Sequence, residues 1–105
     1  MKNRKKKILI VGSCGNIGRE LCLQYVKKRY LVEGISFNRK STIKNQKNFK
    51  NFKNFNFDYR NKKILKKFLK KKYFDIVINL IIHNKKQALH EYDLFKNIVS
   101  RYILI

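Results

Sequence analysis

Three glycines spaced three residues apart, Gly12, Gly15 and Gly18, stand between an apolar block, Ile8 to Val11, and a segment of helical periodicity. No other feature of the chain restricts its backbone so tightly, because glycines at this density admit a sharp turn and a close approach of main chain to main chain. Lys7 to Val11 reads as a buried strand, a short apolar run closed by glycine. Past the glycines, Ile17, Leu21 and Tyr25 recur every fourth residue with Cys22 and Val26 beside them. That spacing predicts a helix from about Ile17 to Lys28. The glycines therefore fall at a strand–turn–helix junction.

The rest of the chain repeats this alternation. Tyr30 to Phe37 (YLVEGISF) reads as a second strand. The tract NRKSTIKNQKNFKNFKNFNFDYRN is biased and partly repetitive, and residues 40–54 read as a basic low-complexity loop that leads into a short strand, Phe55 to Asp58. Asn61 is placed to cap a helix whose apolar face is Ile64, Leu65, Phe68 and Leu69. IVINLII, Ile76 to Ile82, is almost continuously apolar, as in a parallel strand covered on both faces. Phe95, Ile98, Val99 and Tyr102 then predict a last helix running to the chain end. The order β-α-β-loop-β-α-β-α within a single domain, residues 1–105, is that of an α/β fold with a parallel sheet and flanking helices.

Composition allows one folded domain, with 44% apolar residues in 105. The formal charge of +21 favours polyanions, yet abundant Lys, Asn, Ile, Phe and Tyr with no Pro is also what a very AT-rich genome encodes. Lys and Phe interleaved around Phe49, Phe52 and Phe55 could contact phosphates and bases of single-stranded nucleic acid; a variable loop accounts for the same tract. Two cysteines, Cys14 and Cys22, form no CxxC pair, and His83 and His90 no ligand pattern, so no metal site is expected and a reducing cytoplasm is the expected location. MKNRKKK before ILIV, and VGSC at Val11 to Cys14, imitate an export signal and a lipoprotein cleavage site. The four-residue apolar block falls short of the roughly 7–15 residues that export requires. No run approaches the roughly 18 residues of a membrane span.

Gly12 permits the turn, Gly15 leaves room for a pyrophosphate against the backbone, and Gly18 lets the helix pack close to the strand. The helix start adds N–H groups and a partial positive charge. GxxGxxG after the first strand resembles the extended short-chain dehydrogenase/reductases, the group of NAD-dependent epimerases, dehydratases and dTDP-4-dehydrorhamnose-type reductases. GNIGREL is similar to that family's first helix, and DYRNKKILKKFLKKKYFDIVINL to its third strand end, next helix and fourth strand. The resemblance implies a Rossmann-type NAD(P)-binding domain, with Gly12, Ser13, Gly15, Asn16, Ile17 and Gly18 around the pyrophosphate. It places Asp58 and Tyr59 beside the adenine, and Leu80 and Ile81 where small residues usually line the cofactor. After the second strand, Ser36-Phe37-Asn38-Arg39-Lys40 contains no acid to hold the ribose 2′-hydroxyl of NAD. Ser36, Asn38 and Arg39 suit a 2′-phosphate, so NADP is expected over NAD.

The family's chemistry uses a Tyr-x-x-x-Lys pair after the fifth strand. Tyr59 with Lys63 and Tyr92 with Lys96 match the spacing but not the place, so no catalytic residue is assigned. The chain is expected to break off after the fourth strand and its helix, leaving IVINLII as an exposed edge. Three readings follow: the front piece of a split enzyme completed by a separate chain, a nucleotide-binding module that forms a homodimer, or a small basic nucleic-acid-binding protein.

Overall fold

The computed structural model describes residues 5–37, 50–81 and 85–104. Among the described residues eight elements follow one another: β1 (Lys7–Val11), α1 (Asn16–Lys27), β2 (Leu31–Ser36), β3 (Phe52–Asn56), α2 (Lys62–Leu69), β4 (Phe74–Asn79), α3 (Lys85–Phe95) and β5 (Val99–Leu104). The five strands form one sheet in the order β3-β2-β1-β4-β5, every pairing parallel. This is the Rossmann-type α/β fold expected from the sequence, with the reversal of strand order between β1 and β4.

Strand β1 shows why the sheet has two cores. Its side chains alternate, so Ile8 and Ile10 pack with Cys22 and Val26 of α1, Val32, Phe52 and Ile78 on one face. Leu9 and Val11 meet Ile35, Leu65 and Leu69 of α2, Phe74, Val77 and Phe95 of α3 on the other. Burial on both faces is why β1 reads as an unbroken apolar run. The Asn61 cap forms as expected: its Oδ1 accepts from the N–H groups of Lys63 and Ile64 at 3.1 and 3.2 Å. Ile64, expected on the apolar face of α2, is exposed instead; Leu65 and Leu69 alone are fully buried there.

Three expectations need correction. Residues 52–54, expected in the low-complexity loop, belong to β3, because Phe52 enters the core beneath α1 and its strand pairs with β2 from Val32 onward. Residues 38–49, which include Asn38, Arg39 and most of that tract, lie outside the described residues, as does His83. The final helix is also absent from Phe95 onward. Helix α3 ends there, the chain turns, and Val99–Leu104 pairs with β4. Apolar residues at 95, 98, 99 and 102 satisfy a helical period, but 98 and 99 straddle a turn and the segment is rich in β-branched and aromatic residues. The open edge of β4 decides the matter by offering a full set of backbone partners. Strand β4 is consequently internal, and the sheet edge carries Ser100 and Arg101 exposed, a polar edge rather than an apolar one.

Glu33, 8% exposed in β2, is held between two cations on the α2–α3 face: Lys7 Nζ lies 3.1 Å and Lys72 Nζ 3.0 Å from its carboxylate oxygens. Lys72 also lies over the rings of Phe55 and Phe68, so its stem and charge both find partners. Two turns that follow helices hold non-glycine residues in left-handed conformation, Arg29 at φ 67° and Lys71 at φ 60°. Each costs about 1 kcal/mol relative to glycine.

Candidate functional site

The C-terminal ends of β1, β2 and β4 are stitched together by main-chain hydrogen bonds. Gly12 N–H and Ser13 N–H donate to Ile35 O at 2.8 and 3.1 Å, and Leu80 N–H donates to Val11 O at 3.0 Å. Above them opens a cleft of about 510 Å³, lined by Gly12, Cys14, Gly15, Asn16, Ile17, Gly18, Ser36, Phe37, Tyr59, Leu80 and Ile81. It lies at the switch point of the sheet, where the crossovers to the two halves diverge and leave a crevice. In a chain of charge +21, none of the described residues that line this cleft is charged.

Its capacity for anions comes from the main chain. Gly15 is the N-cap of α1, with φ −74° and ψ 171°, no side chain caps the first turn, and no acid occupies it. First-turn N–H groups and the positive end of the helix dipole thus face the cleft without an internal anion.

The glycines differ in why they are needed. Gly12 has φ 97°, and a Cβ there would sit 2.7 Å from Ile81 Cγ1. At Gly18 a Cβ would lie 1.9 Å from Gly12 O. Gly34, inside β2, is required for a related reason: a Cβ would come within 2.6 Å of Ser13 Cβ and 2.8 Å of Asn54 Oδ1. At Gly15, in contrast, a Cβ meets nothing nearer than Gly12 O at 3.7 Å, an ordinary contact. Three glycines serve the chain's own packing, and the fourth leaves space only in the cleft.

Among the expected site residues, Gly12, Gly15, Asn16, Ile17, Gly18, Ser36, Tyr59, Leu80 and Ile81 are brought together around the cleft. Ser13 is buried and turned inward, its Oγ hydrogen-bonded to Asn54 Oδ1, while Asn54 Nδ2 donates to Ser36 Oγ at 3.0 Å. This chain of bonds fixes the glycine loop against β2 and β3. Asp58 does not line the cleft; Arg60 Nε and Nη2 grip its carboxylate at 3.0 and 3.3 Å. The hydrogen bond from Arg60 holds the Asp58 carboxyl below its ordinary range. Asn38 and Arg39 fall outside the described residues.

Sequence reasoning missed Phe37, Cys14, Gly34 and Asn54. Phe37 packs edge-on to Tyr59 with centroids 6.4 Å apart, the two rings forming the cleft's outer wall, and the Arg60 guanidinium lies 5.0 Å from the Phe37 centroid. Only Gly34 carried a signal, since glycine inside a strand marks a close approach. Below the cleft, Asn79 is fully buried. Its Nδ2 donates to Glu91 Oε1 at 2.9 Å and to Tyr102 OH at 3.0 Å, and its Oδ1 accepts from Ile81 N–H at 3.0 Å. One side chain thus ties α3, β5 and the Leu80–Ile81 wall together.

The two cysteines differ sharply. Burial, assisted by Cys14, pushes the Cys22 thiol up to about 12, so it stays protonated at neutral pH, whereas Cys14 lines the cleft. Brief iodoacetamide treatment of the folded protein at about pH 8 is expected to alkylate Cys14 and spare Cys22, with both labelled in denaturant. Peptide mass spectrometry showing Cys22 labelled first would contradict the packing around α1.

Neither Tyr-x-x-x-Lys pair resembles an acid–base couple. Burial pushes the Tyr59 phenol above its ordinary value, the opposite of what a neighbouring lysine should do, and Lys96 pairs with Asp93 at 3.5 Å. Among the described residues no group of three or more His, Cys, Asp and Glu is placed to hold a metal, and no helix is long and apolar enough to cross a membrane.

Comparison with known proteins gives a match to the family model described as NAD dependent epimerase/dehydratase family over residues 8–104. No curated protein matches. Similar solved structures include a wide-type short-chain dehydrogenase/reductase from Veillonella parvula in complex with NADP, with TM-score 0.75, 13% identity, and coverage of 96% of this chain and 47% of that one. The Bordetella bronchiseptica enzyme WbmH in complex with NAD+ gives TM-score 0.63 and 20% identity over 78% of this chain and 27% of that one. A short-chain dehydrogenase from Leptospira borgpetersenii with bound NAD+ gives 0.65 and 21% over 87% and 40%. At these identities the likeness concerns the fold, and the chain spans less than half the length of these three structures.

Proposed function

Because the chain belongs to the NAD-dependent epimerase/dehydratase family, we propose that its cleft binds a nicotinamide dinucleotide, NADP in preference to NAD, as the cofactor-holding part of an oxidoreductase or epimerase acting on a nucleotide-sugar. The observation that carries this reading is Gly15. Its missing Cβ is not required by any neighbour among the described residues, yet it keeps open the approach to the uncapped start of α1. A pyrophosphate is the group that needs both. Main-chain N–H groups of Asn16 and Ile17 would hold it, with Phe37 and Tyr59 on the adenine side.

The preference for NADP rests on the end of β2, where Ser36 replaces the acid that would receive a 2′-hydroxyl, followed in sequence by Asn38 and Arg39. When bound, the dinucleotide supplies hydride transfer; the residues described here position it and shield one side from water. With neither tyrosine–lysine pair suited to proton transfer, the proposed acid–base residues come from a segment other than those described.

The test is a nucleotide-fluorescence titration at raised salt, where nonspecific attraction to the +21 chain is screened. NADPH is expected to bind about tenfold more tightly than NADH, a difference of about 1.4 kcal/mol. Gly15→Ala is expected to weaken NADPH binding about 100-fold while lowering stability by about 1 kcal/mol or less, the cost of alanine at an N-cap. Unchanged NADPH affinity in Gly15→Ala would remove the cleft as the site. Equal affinity for the two nucleotides would remove the preference alone.

A further inference from the structure

A parallel sheet gathers the starts of all its strands at one end, and in this chain almost every strand is entered through exposed cations. Lys5 and Lys6 precede β1, Lys28 and Arg29 precede β2, and Lys50 precedes β3. Lys70 and Lys71 precede β4. These residues are scattered through the sequence, and only the topology makes them neighbours. The acids that occur nearby are already engaged. Glu33 is held by Lys7 and Lys72, Asp75 Oδ2 accepts from Lys7 N–H at 2.7 Å, and Asp93 pairs with Lys96. The glycine cleft lies at the opposite end of the strands.

We propose that this strand-start end of the sheet binds single-stranded nucleic acid, independently of the glycine cleft. Its surface is concave rather than flat. A groove of about 930 Å³ runs between α2 and the C-terminal end of α3, walled by Lys63, Lys66, Lys67, Lys70 and Lys71 with Asp93 opposite, over a floor that includes Leu69 and Ile98. A second hollow, about 320 Å³, is lined by Lys5, Arg29 and Lys50 among others. A flexible phosphate backbone can follow such grooves, whereas a bilayer surface would meet only their rims. Tyr73, which directly follows Lys70, Lys71 and Lys72 in the chain, is 47% exposed, with its hydroxyl hydrogen-bonded to Ser100 Oγ so that the ring is held in place. An exposed, fixed ring among cations is a surface for base stacking.

The experiment uses the full chain and a fluorescein-labelled 20-nucleotide oligouridylate, followed by anisotropy across a salt series. Two triple variants remove the same charge from opposite ends of the sheet. One is Lys50→Glu, Lys70→Glu and Lys71→Glu; the other is Lys62→Glu, Lys85→Glu and Lys86→Glu, at exposed helix starts beside the strand ends. The first is expected to weaken binding at least tenfold and to reduce the slope of log K against log salt by about 2, as three lost single-strand phosphate contacts require. The second is expected to weaken it less than threefold. Tyr73→Leu is expected to cost about fivefold with an unchanged salt slope, since stacking releases no counterions. Circular dichroism confirms that each variant folds. Equal losses in the two triples would show bulk charge only and overturn the proposal. So would phosphatidylserine vesicles that strip the oligonucleotide at matched anionic charge, which would reassign the face to a lipid surface.

Discussion

Gly18→Ala is expected to destabilise the protein by about 3 kcal/mol or more, although it adds one methyl group to a helix. Alanine is ordinarily the better helix former by about 1 kcal/mol, so propensity alone has the opposite sign. Packing decides. The added Cβ would stand 1.9 Å from Gly12 O, 2.8 Å from Gly12 C and 3.0 Å from Ser13 Cα, all main-chain atoms that cannot rotate aside. Relief requires α1 to lift off the sheet, and Cys22 and Val26 on the same helix would leave the core beside Ile8 and Ile10. For a domain of this size the loss corresponds to a fall in melting temperature of roughly 15 °C. Thermal unfolding by circular dichroism measures it, with Gly15→Ala as the companion that adds the same methyl group three residues earlier. A Gly18→Ala midpoint within two or three degrees of the parent would mean that the loop and helix are not packed this closely.

Asn79→Ala is the second substitution with a large expected effect, about 3 kcal/mol. The residue is fully buried, and its amide satisfies Glu91, Tyr102 and the N–H of Ile81 at once. Removing it costs the Glu91 carboxylate a donor in a place water does not reach, since Glu91 is 5% exposed. Tyr102→Phe, which removes a single acceptor, is expected to cost about 1 kcal/mol. The network interpretation is checked by a double-mutant cycle in urea. Asn79→Ala combined with Glu91→Gln should be less destabilising than the sum of the two by at least about 1 kcal/mol, because both variants break the same Asn79–Glu91 hydrogen bond. Strict additivity would show that the two side chains act separately. Because Asn79 also anchors Ile81, the single variant should weaken NADPH binding as well, through a wall residue it does not replace.

The first βαβ unit was legible because its signals are local and agree. A four-residue apolar block, glycines that force a turn, and a fourfold periodicity each point to one structure, and β1 pairs with β2 in parallel accordingly. The chain end was not legible for the opposite reason. Residues 95–102 fit a helical period, and nothing within them records that β4 has an open edge to fill. A strand stabilised by a partner more than twenty residues away leaves little trace in its own sequence. The cleft shows the same division. Its floor, Gly12 to Gly18, could be read from spacing, whereas its outer wall depends on Phe37, Tyr59 and Arg60 meeting across elements. Asp58, expected beside the adenine, does not line the cleft, and the guanidinium two residues later, which takes up its carboxylate, could be seen only in three dimensions.

The chain contains four glycines. At two turns where glycine would relieve strain, Arg29 and Lys71 stand in left-handed conformation instead. All four glycines gather around a single loop: two touch each other, one lies under Ser13, and one borders empty space. Glycine is thus withheld where it would merely be comfortable and retained where a side chain is forbidden. In so lysine-rich a chain its distribution works as a negative image, outlining the volume that must remain unfilled.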